Sequence, residues 1–295
     1  FQGLKKKVLY IKTNNCRKEL AEVASKLCRN KPKNLIAVTG TNGKSSIADF
    51  YFQILNLNKK KVASIGTLGV KTHNRKVSID NTTLDPISLN GHLQKIKKLN
   101  INNVILEASS HGLQQNRLDG LNFNTALFTN LSHDHLDYHK NFKNYLNAKL
   151  YLFKKLLNKN SNIITDIAIP EYKKIKKISL KRKLNLKTIG FEKGDLNIIN
   201  HEYVNEKQII KIKYKNNIYM IETNLIGKIQ IKNLLMAMIA AEKSNINFKS
   251  IVNVISKLKP VNGRLEKIGK IRNNSKVILD YAHTPDALKK CLENL

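Results

Sequence analysis

The stretch LIAVTGTNGKSS, residues 35–46, decides the fold. It joins a short apolar run, typical of a buried strand, to a glycine-rich turn and to a Gly-Lys-Ser sequence that opens a helix. Backbone N–H groups in such a turn can surround a phosphate at the positive end of the helix. Lys44 is then placed to contact phosphates and Ser45 to hold Mg²⁺. The common phosphate-loop pattern would need a glycine where Val38 stands, so we interpret this stretch as a variant nucleotide-binding loop.

Around this loop, the first half of the chain alternates predicted strands with predicted helices. Apolar runs predict strands at residues 35–39, 61–65, 104–106 and 126–129. Helical spacing of apolar residues predicts helices at residues 17–28, 45–55, 86–98 and 141–157. The first of these would carry Leu20, Val23, Ala24 and Leu27 on one face. The alternation predicts an α/β fold, a mostly parallel sheet flanked by helices on both faces.

In the second half of the chain, the alternation of predicted strands and helices is interrupted. Three β-rich runs at residues 196–203, 208–214 and 218–225 predict a small β-rich subregion. Helical spacing follows at 230–243 and 248–258, then a strand at 277–280 and a helix from about 285. The polar stretch at 270–275 is the best candidate domain boundary. Because the chain begins with Phe1 and stops inside a predicted helix, we expect a piece of a longer protein.

The strong positive charge has two explanations. Lys and Arg total 53 against 21 Asp and Glu, a net charge of +32, which can indicate a nucleic-acid partner. The excess is mostly Lys spread along the chain, Arg is scarce and Trp is absent, so we favour a compositional bias and expect no dedicated nucleic-acid partner. The longest apolar run, residues 234–241, is too short to span a bilayer, so we expect no membrane insertion. Three cysteines without metal-ligand spacing favour a reducing compartment.

Glu107 and His135 both follow predicted strands. Because ligands of an open α/β sheet bind at the carboxyl ends of its strands, both side chains should approach the phosphate loop. They could complete a Mg²⁺ site there, although helix capping by Glu107 and a structural role for His135 are alternatives. Lys149 continues the apolar stripe of its helix, where a lysine is costly unless it is paired or reaches the rim. The residues alone favour the rim.

Two other polar clusters could bind a ligand or cap a helix. The first is the run NTT at residues 81–83, and the second covers residues 109–117. The segment HDHLDYH, residues 133–139, contains side chains that could bind a transition metal, but no second cluster supports a separate zinc or iron site. A Ser-His-Asp hydrolase is disfavoured because the G-x-S-x-G sequence is missing.

Together these motifs resemble the Mur ligase family. The loop TGTNGKS at residues 39–45 is similar to the family's ATP loop, which folylpolyglutamate synthetases and the D-glutamate-adding ligase share. Five further motifs resemble the branch that adds the third amino acid of the peptidoglycan stem peptide. They are EASSHGL (107–113), FTNLSHDHLDYH (128–139), NAKL (147–150), GRLE (263–266) and DYAHTPD (280–286). SSHGL and YAHTPD are much more selective than the loop.

The resemblance implies an ATP-dependent ligase that forms an amide bond in peptidoglycan synthesis. ATP with Mg²⁺ would phosphorylate the free carboxylate of UDP-N-acetylmuramoyl-L-alanyl-D-glutamate. The incoming amino acid, meso-diaminopimelate or L-lysine, would then attack the acyl phosphate. We expect a monomer in the cytoplasm. The family's matching lysine is carbamylated, which implies that Lys149 is an anion rather than a buried cation.

The resemblance also assigns site residues. It implies catalytic roles for Lys44, Glu107, His135 and Lys149, and Mg²⁺ ligation by Ser45, Glu107, His135 and carbamylated Lys149. The residues expected to bind ATP are Gly40, Thr41, Asn42, Gly43, Lys44, Ser45, Ser46, Asn233, Arg264, Asp280 and His283. The residues expected to bind the muramyl-dipeptide are Asn81, Thr82, Thr83, Ser109, Gln115 and Arg117. Gln230 stands where the family commonly has asparagine, close to the predicted adenine side.

Three domains follow from the resemblance. Residues 1–30 would be the tail of an N-terminal uridine-binding domain and a linker, 31–271 the central ATP-binding domain, and 272–295 the start of a Rossmann-like C-terminal ligase domain. We expect such a piece to be inactive alone. The alternatives still open are a D-glutamate-adding or folylpolyglutamate-synthetase-like ligase, a phosphate-loop ATPase without ligase activity, and a basic nucleic-acid-binding protein.

Overall fold

The computed structural model describes residues 12–295, so the prediction for residues 1–11, part of the expected N-terminal tail, lies outside the described residues. The strands are β1 Asn34–Thr39, β2 Val62–Gly66, β3 Gly69–Lys71, β4 Lys76–Val77, β5 Asn103–Glu107, β6 Phe123–Phe128, β7 Leu157–Asp166, β8 Asn185–Phe191, β9 Leu196–Val204, β10 Lys207–Tyr214, β11 Asn217–Thr223, β12 Glu266–Lys270 and β13 Lys276–Leu279. The helices are α1 Cys16–Leu27, α2 Lys44–Leu57, α3 Pro86–Lys98, α4 Ser110–Gln114, α5 Leu136–His139, α6 Phe142–Tyr151, α7 Tyr172–Arg182, α8 Lys228–Glu242, α9 Phe248–Val252 and α10 Pro285–Glu293.

Within residues 12–295, eleven strands form one sheet in the order β11-β10-β9-β8-β7-β6-β1-β5-β2-β3-β4. The run from β9 to β2 is parallel throughout. Antiparallel strands extend it at both edges, β3 and β4 on one side and β10 and β11 on the other. The predicted mostly parallel α/β sheet is therefore confirmed. The predicted β-rich subregion forms β9, β10 and β11, and it continues the same sheet because β9 pairs with β8.

Helices cover both faces of this sheet. Side chains of β1 alternate between them, because successive residues of a strand point to opposite faces. Ile36 and Val38 pack in a core that includes α2, α8 and α9. Leu35 and Ala37 pack in a second core that includes α3 and the helices after β6. The phosphate loop at the end of β1 therefore sits between two well-packed layers.

The helix predicted at residues 17–28 forms, but it packs through a different face. Ala21, Ala24 and Ser25 of α1 are buried, whereas Leu20, Val23 and Leu27 are exposed. This face of α1 packs directly on the backbone of Gly120, where a Cβ would lie 2.6 Å from the Ser25 Cβ. The Ser25 hydroxyl donates to the Gly120 carbonyl at 2.5 Å. The close approach of α1 to the Gly120 backbone thus decides which face of the helix is buried.

Most other elements agree with the sequence prediction, but the region after residue 151 differs. The helix predicted at residues 141–157 is α6 followed by a π-helical turn, Leu152–Leu156. The helix predicted at residues 248–258 is α9 followed by a short 3₁₀ turn, Ile255–Lys257. Near the chain end, β12 and β13 pair in a two-stranded antiparallel sheet whose connection contains the expected boundary at residues 271 and 272.

No helix in residues 12–295 combines the length and apolarity needed to cross a membrane.

Candidate active site

The phosphate loop occupies four residues between β1 and α2. Val38 lies inside β1 and is paired on both sides, so the loop begins only after Thr39 and is shorter than the common pattern. Gly40 and Gly43 both have positive φ, which disfavours residues with a side chain. A Cβ on Gly40 would also lie 1.7 Å from the Thr129 hydroxyl oxygen. The turn therefore requires glycine at both positions.

The segment that follows β6 holds the loop in place. Asn42 N–H donates to Asn130 Oδ1 at 3.0 Å, and the Thr129 hydroxyl donates to the Asn42 carbonyl at 2.6 Å. The Thr41 hydroxyl oxygen accepts from Ser132 N–H at 3.0 Å and lies 3.1 Å from the Tyr145 hydroxyl. The sequence pattern assigned no role to Thr129, Asn130 or Ser132. Their position within the FTNLS motif, directly after a strand that pairs with β1, was the available signal.

Lys44 opens α2, and its amine folds back onto the loop. Nζ donates to the carbonyl oxygens of Gly40 at 3.0 Å and Thr41 at 2.8 Å. Burial lowers the pKa of this amine, and the nearby carboxylates of Glu107 and Asp134 oppose the shift. Lys44 also lines the cleft beside the loop. Ser46, the other predicted loop residue in α2, is buried.

Glu107 ends β5 with its carboxylate buried beside the loop. Oε2 accepts from the Ser45 hydroxyl at 3.0 Å, and Oε1 accepts from Thr67 N–H at 2.9 Å. Burial raises the pKa of the Glu107 carboxyl, while Lys44 and these hydrogen bonds favour the ionised form. Glycine at position 66 allows the β2 backbone to lie against the Glu107 carboxylate, because a Cβ there would be 2.2 Å from Oε1. Ser45 and Glu107 therefore present two oxygen ligands of the type that Mg²⁺ prefers.

Lys149 is buried, not at the rim as the residues alone favoured. Its Nζ donates to the Gly40 carbonyl at 2.8 Å and lies 4.4 Å from the centre of the Tyr145 ring. Burial, with a further contribution from Lys44, lowers the pKa of Lys149 well below its ordinary value. The carbonyl and the ring compensate for part of the cost of burying the amine. An uncharged or modified amine suits this position better than an ammonium ion.

His135 lies on the same side of the loop. It has positive φ and immediately precedes α5, and its Nε2 is 3.4 Å from the Asp134 carboxylate. Its ring lies edge-on to His111, with centroids 4.8 Å apart. Half of the side chain is exposed, so one edge remains open to the cleft. Within residues 12–295, no three His, Cys, Asp or Glu side chains form a metal-binding cluster.

The residues expected to bind the dipeptide gather next to Glu107, but several are already engaged. The Thr83 hydroxyl is buried and donates to the Glu107 carbonyl at 2.8 Å. Arg117 donates to the Thr83 carbonyl at 2.6 Å and, through two nitrogens, to Gln115 Oε1 at 2.9 and 2.7 Å. Ser109 caps α4 through Gly112 N–H. Thr82 and Ser109 line the cleft, whereas Asn81 is exposed outside its lining.

The opposite wall of the cleft brings together the other residues expected to bind ATP. The cleft has a volume of about 290 Å³, and Asn233, Arg264, Asp280 and His283 all line it. Asn233 Nδ2 donates to Gln230 Oε1 at 3.1 Å, and Gln230 Nε2 donates to the Arg264 carbonyl at 2.9 Å. Gln230 thus joins α8 to the segment before β12. The Arg264 guanidinium lies 4.7 Å from the Tyr281 ring centre, an aromatic residue that the sequence analysis did not single out.

A family model described as the Mur ligase middle domain matches residues 38–241. The chain belongs to the Mur ligase family. A Rickettsia bellii relative named UDP-N-acetylmuramoyl-L-alanyl-D-glutamate--2,6-diaminopimelate ligase is 39% identical over 98% of this chain and 60% of its own length. The ligase of the same name from Zymomonas mobilis is 36% identical over 97% of this chain and 59% of its length. This Mur ligase chain therefore spans about 60% of the relatives that it matches.

Solved structures agree with this assignment. The structure of a ligase of the same name superposes on 95% of this Mur ligase chain with a TM-score of 0.81 and 29% identity, covering 57% of that protein. MurF ligase from Thermotoga maritima in complex with ADP superposes with a TM-score of 0.73. The superposition covers 99% of this chain and 64% of the MurF chain. Its 17% identity supports the fold alone.

Proposed function

We propose that the protein containing this chain is the ATP-dependent ligase that adds an amino acid to UDP-N-acetylmuramoyl-L-alanyl-D-glutamate. The observation that carries the proposal is the convergence of Lys44, Ser45, Glu107 and Lys149 on one loop at the carboxyl ends of β1 and β5. The relatives described above are named for 2,6-diaminopimelate, which supports that amino acid over lysine.

The reaction would proceed through an acyl phosphate. A carboxylate oxygen of the dipeptide attacks the γ-phosphorus of ATP, and ADP leaves. The amine of the incoming amino acid then attacks the acyl carbon, phosphate leaves and the amine loses a proton. Lys44 and the N–H groups at the start of α2 would stabilise charge on the transferring phosphoryl group, because they are positioned before the reaction begins.

The donor set fits Mg²⁺ at two places. The Ser45 hydroxyl and Glu107 carboxylate supply oxygen ligands at one, and Glu107, His135 and a carbamylated Lys149 would supply the other. Bound there, Mg²⁺ would neutralise charge on the phosphates and orient them. The buried Glu107 carboxylate, accepting from Ser45 and Thr67, is held ready for a cation.

Carbamylation of Lys149 is chemically favoured by its surroundings. Nζ of a neutral amine attacks the carbon of CO₂, an N–C bond forms as one C=O π bond opens onto oxygen, and the nitrogen loses a proton. Because burial holds the pKa of Lys149 well below its ordinary value, a larger fraction of this amine is in the neutral form that the reaction needs than for an exposed lysine. The product is an anion, and it would offset the positive charge of Lys44 and of a bound cation.

The two cleft walls would bind the two substrates. We assign the ATP base and ribose to the wall with Asn233, Arg264, Asp280 and His283, and the phosphates to residues 40–46. We assign the dipeptide to the wall with Thr82 and Ser109 and to the adjoining residues Asn81, Thr83, Gln115 and Arg117, where Arg117 would exchange its contact with Gln115 for a substrate anion. Residues 31–271 would then be the ATP-binding domain, the residues up to 30 the tail of the N-terminal domain and a linker, and residues 272–295 the start of the C-terminal domain, in a cytoplasmic enzyme.

Phosphate release tests this proposal. The gene product containing this chain is incubated with ATP, Mg²⁺ and UDP-N-acetylmuramoyl-L-alanyl-D-glutamate, with meso-diaminopimelate or L-lysine added in separate reactions. Release that requires the dipeptide and meso-diaminopimelate is expected. Release that ignores both would overturn the ligase assignment and leave a phosphate-loop ATPase, whereas dependence on L-lysine would correct only the incoming amino acid.

A further inference from the structure

Thr67 is the first residue after β2, at the wall of the cleft, and it contacts Glu107 twice. Its N–H donates to Oε1 at 2.9 Å and its hydroxyl donates to Oε2 at 3.3 Å. The same hydroxyl oxygen lies 3.0 Å from the Thr82 hydroxyl oxygen. Thr67 therefore lies between the buried carboxylate and the loop at residues 81–83, which we name the acceptor loop.

The chemistry of these groups fixes the direction of the hydrogen bonds. A hydroxyl has one proton and two lone pairs, and an ionised carboxylate only accepts. If Thr67 donates to Glu107, Thr82 must donate to Thr67. The lone pairs of Thr82 are then left to accept from a ligand in the cleft. Such a chain of hydroxyls is cooperative, because each bond polarises the next.

We propose that Thr67 is a positioning residue that transmits occupancy of the acceptor loop to the Glu107 carboxylate. Thr67 orients Thr82 to accept from an N–H group, such as a peptide amide of the substrate. That N–H strengthens the Thr82–Thr67 bond and, through it, the Thr67–Glu107 bond. The proposal rests on the ligase function proposed above, and it adds a link between dipeptide binding and the carboxylate assigned to Mg²⁺.

The backbone and the hydroxyl of Thr67 make separable contributions. The Gly66 backbone packs against Glu107, and the Thr67 N–H contact does not depend on the side chain. Thr67→Val preserves side-chain shape and the N–H but removes the hydroxyl, and Thr67→Ser restores the hydroxyl. Thr72→Val is the matched control, because the Thr72 hydroxyl donates only to the Arg75 carbonyl in the exposed β3–β4 hairpin.

The experiment uses the gene product containing this chain. Calorimetry measures its affinity for the Mg²⁺ complex of the non-hydrolysable ATP analogue AMPPCP, with and without UDP-N-acetylmuramoyl-L-alanyl-D-glutamate. Wild-type protein, T67S and T72V should bind the analogue more tightly when the dipeptide is present. T67V should lose this effect of the dipeptide, and its kcat for phosphate release should fall about tenfold, as expected for one hydrogen bond to a charged group.

The outcomes separate the two proposals. T67V that keeps both the wild-type kcat and the dipeptide effect would overturn the role of Thr67 alone. Equal losses in T67V and T67S would also overturn it, because they would mean that the side chain only fills space. Wild-type protein without dipeptide-dependent phosphate release would overturn the proposed function, and the Thr67 link with it.

Discussion

Lys44 and Lys149 donate to the same acceptor, the carbonyl oxygen of Gly40, at 3.0 and 2.8 Å. Two ammonium ions that share one carbonyl repel each other, and burial lowers the pKa of each amine. Asp134 favours the charged form of both amines, but the Glu107 carboxylate favours that of Lys44 alone, so Lys44 is the better candidate to keep its charge. Lys149 is then the amine that resolves the conflict by losing its proton or by modification.

The first prediction concerns that modification. Protein equilibrated with ¹³C-bicarbonate at pH 8 should show a ¹³C carbamate signal that is missing from Lys149→Ala. Lys149→Ala cannot form the carbamate anion. Its dipeptide-dependent phosphate release should therefore be about 10²- to 10³-fold lower, as when other preorganised groups near a transferring charge are removed. Lys143→Ala is the control, because Lys143 is an exposed lysine on the same helix.

Two results would contradict this prediction. One is an unmodified Lys149 in fully active protein. The other is a carbamate signal that survives in Lys149→Ala, which would place the modification elsewhere. Removal of dissolved CO₂ provides a second measurement, since the carbamate should dissociate and activity should return when bicarbonate is restored.

The second prediction tests the close contact between β2 and Glu107. Gly66→Ala would place a Cβ 2.2 Å from Glu107 Oε1, so the carboxylate must move. We expect weaker Mg²⁺ dependence of phosphate release and an activity loss of about 10²-fold, comparable with removal of one charge-stabilising group. Titration of activity with Mg²⁺ makes the measurement.

The matched control is Gly91→Ala. Gly91 lies within α3, and a Cβ there would meet no heavy atom within 4 Å. That variant should be stabilised by about 0.5–1 kcal/mol, since glycine costs conformational entropy in a helix. Wild-type Mg²⁺ dependence in Gly66→Ala would show that the Glu107 position is not critical for the cation.

The third prediction concerns substrate binding. Arg117 holds Gln115 with two nitrogens in a geometry that lysine cannot reproduce. Arg117→Lys should therefore raise the KM for the dipeptide about tenfold or more while the KM for ATP stays near the wild-type value. Arg75→Lys on the exposed β3–β4 hairpin is the control. Equal changes in both KM values would indicate a general distortion rather than a role in dipeptide binding.

The phosphate loop and Glu107 could be located from sequence because their positions depend on strand order. Glycines that follow an apolar run, and a carboxylate that ends one, must meet when the strands are parallel neighbours, and β1 and β5 pair with Val38 beside Glu107. The local sequence pattern was therefore sufficient to locate these residues, and the resemblance to the Mur ligase family implied their roles.

Lys149 and Thr67 depend on information that local pattern does not contain. Helical spacing placed Lys149 on the buried stripe, but only the position of Gly40 and Tyr145 makes full burial of its amine tolerable. Thr67 is an exposed threonine in a short turn, and its importance arises from two distant residues, Thr82 and Glu107. Similarly, α7 was missed because its lysines dominate the pattern, while Ile175 and Ser179 alone are buried.

The fourth prediction concerns stability and pH. Asp119 is buried and accepts from the Tyr151 hydroxyl at 2.7 Å and from Asn116 Nδ2 at 3.2 Å. Burial raises the pKa of this carboxyl in the folded protein above its unfolded value. The folded state therefore binds more protons than the unfolded state between these two pKa values, so the contribution of Asp119 to stability falls as pH rises through them.

Asp119→Asn removes this titration. The amide still accepts from Tyr151 but faces the Asn116 amide with a donor, a cost that does not depend on pH. The free energy of unfolding of the variant minus that of the wild type should therefore increase from pH 4 to pH 7. Urea unfolding at several pH values measures it. A difference that stays constant over this range would show that the Asp119 carboxyl has the same pKa in the folded and unfolded states.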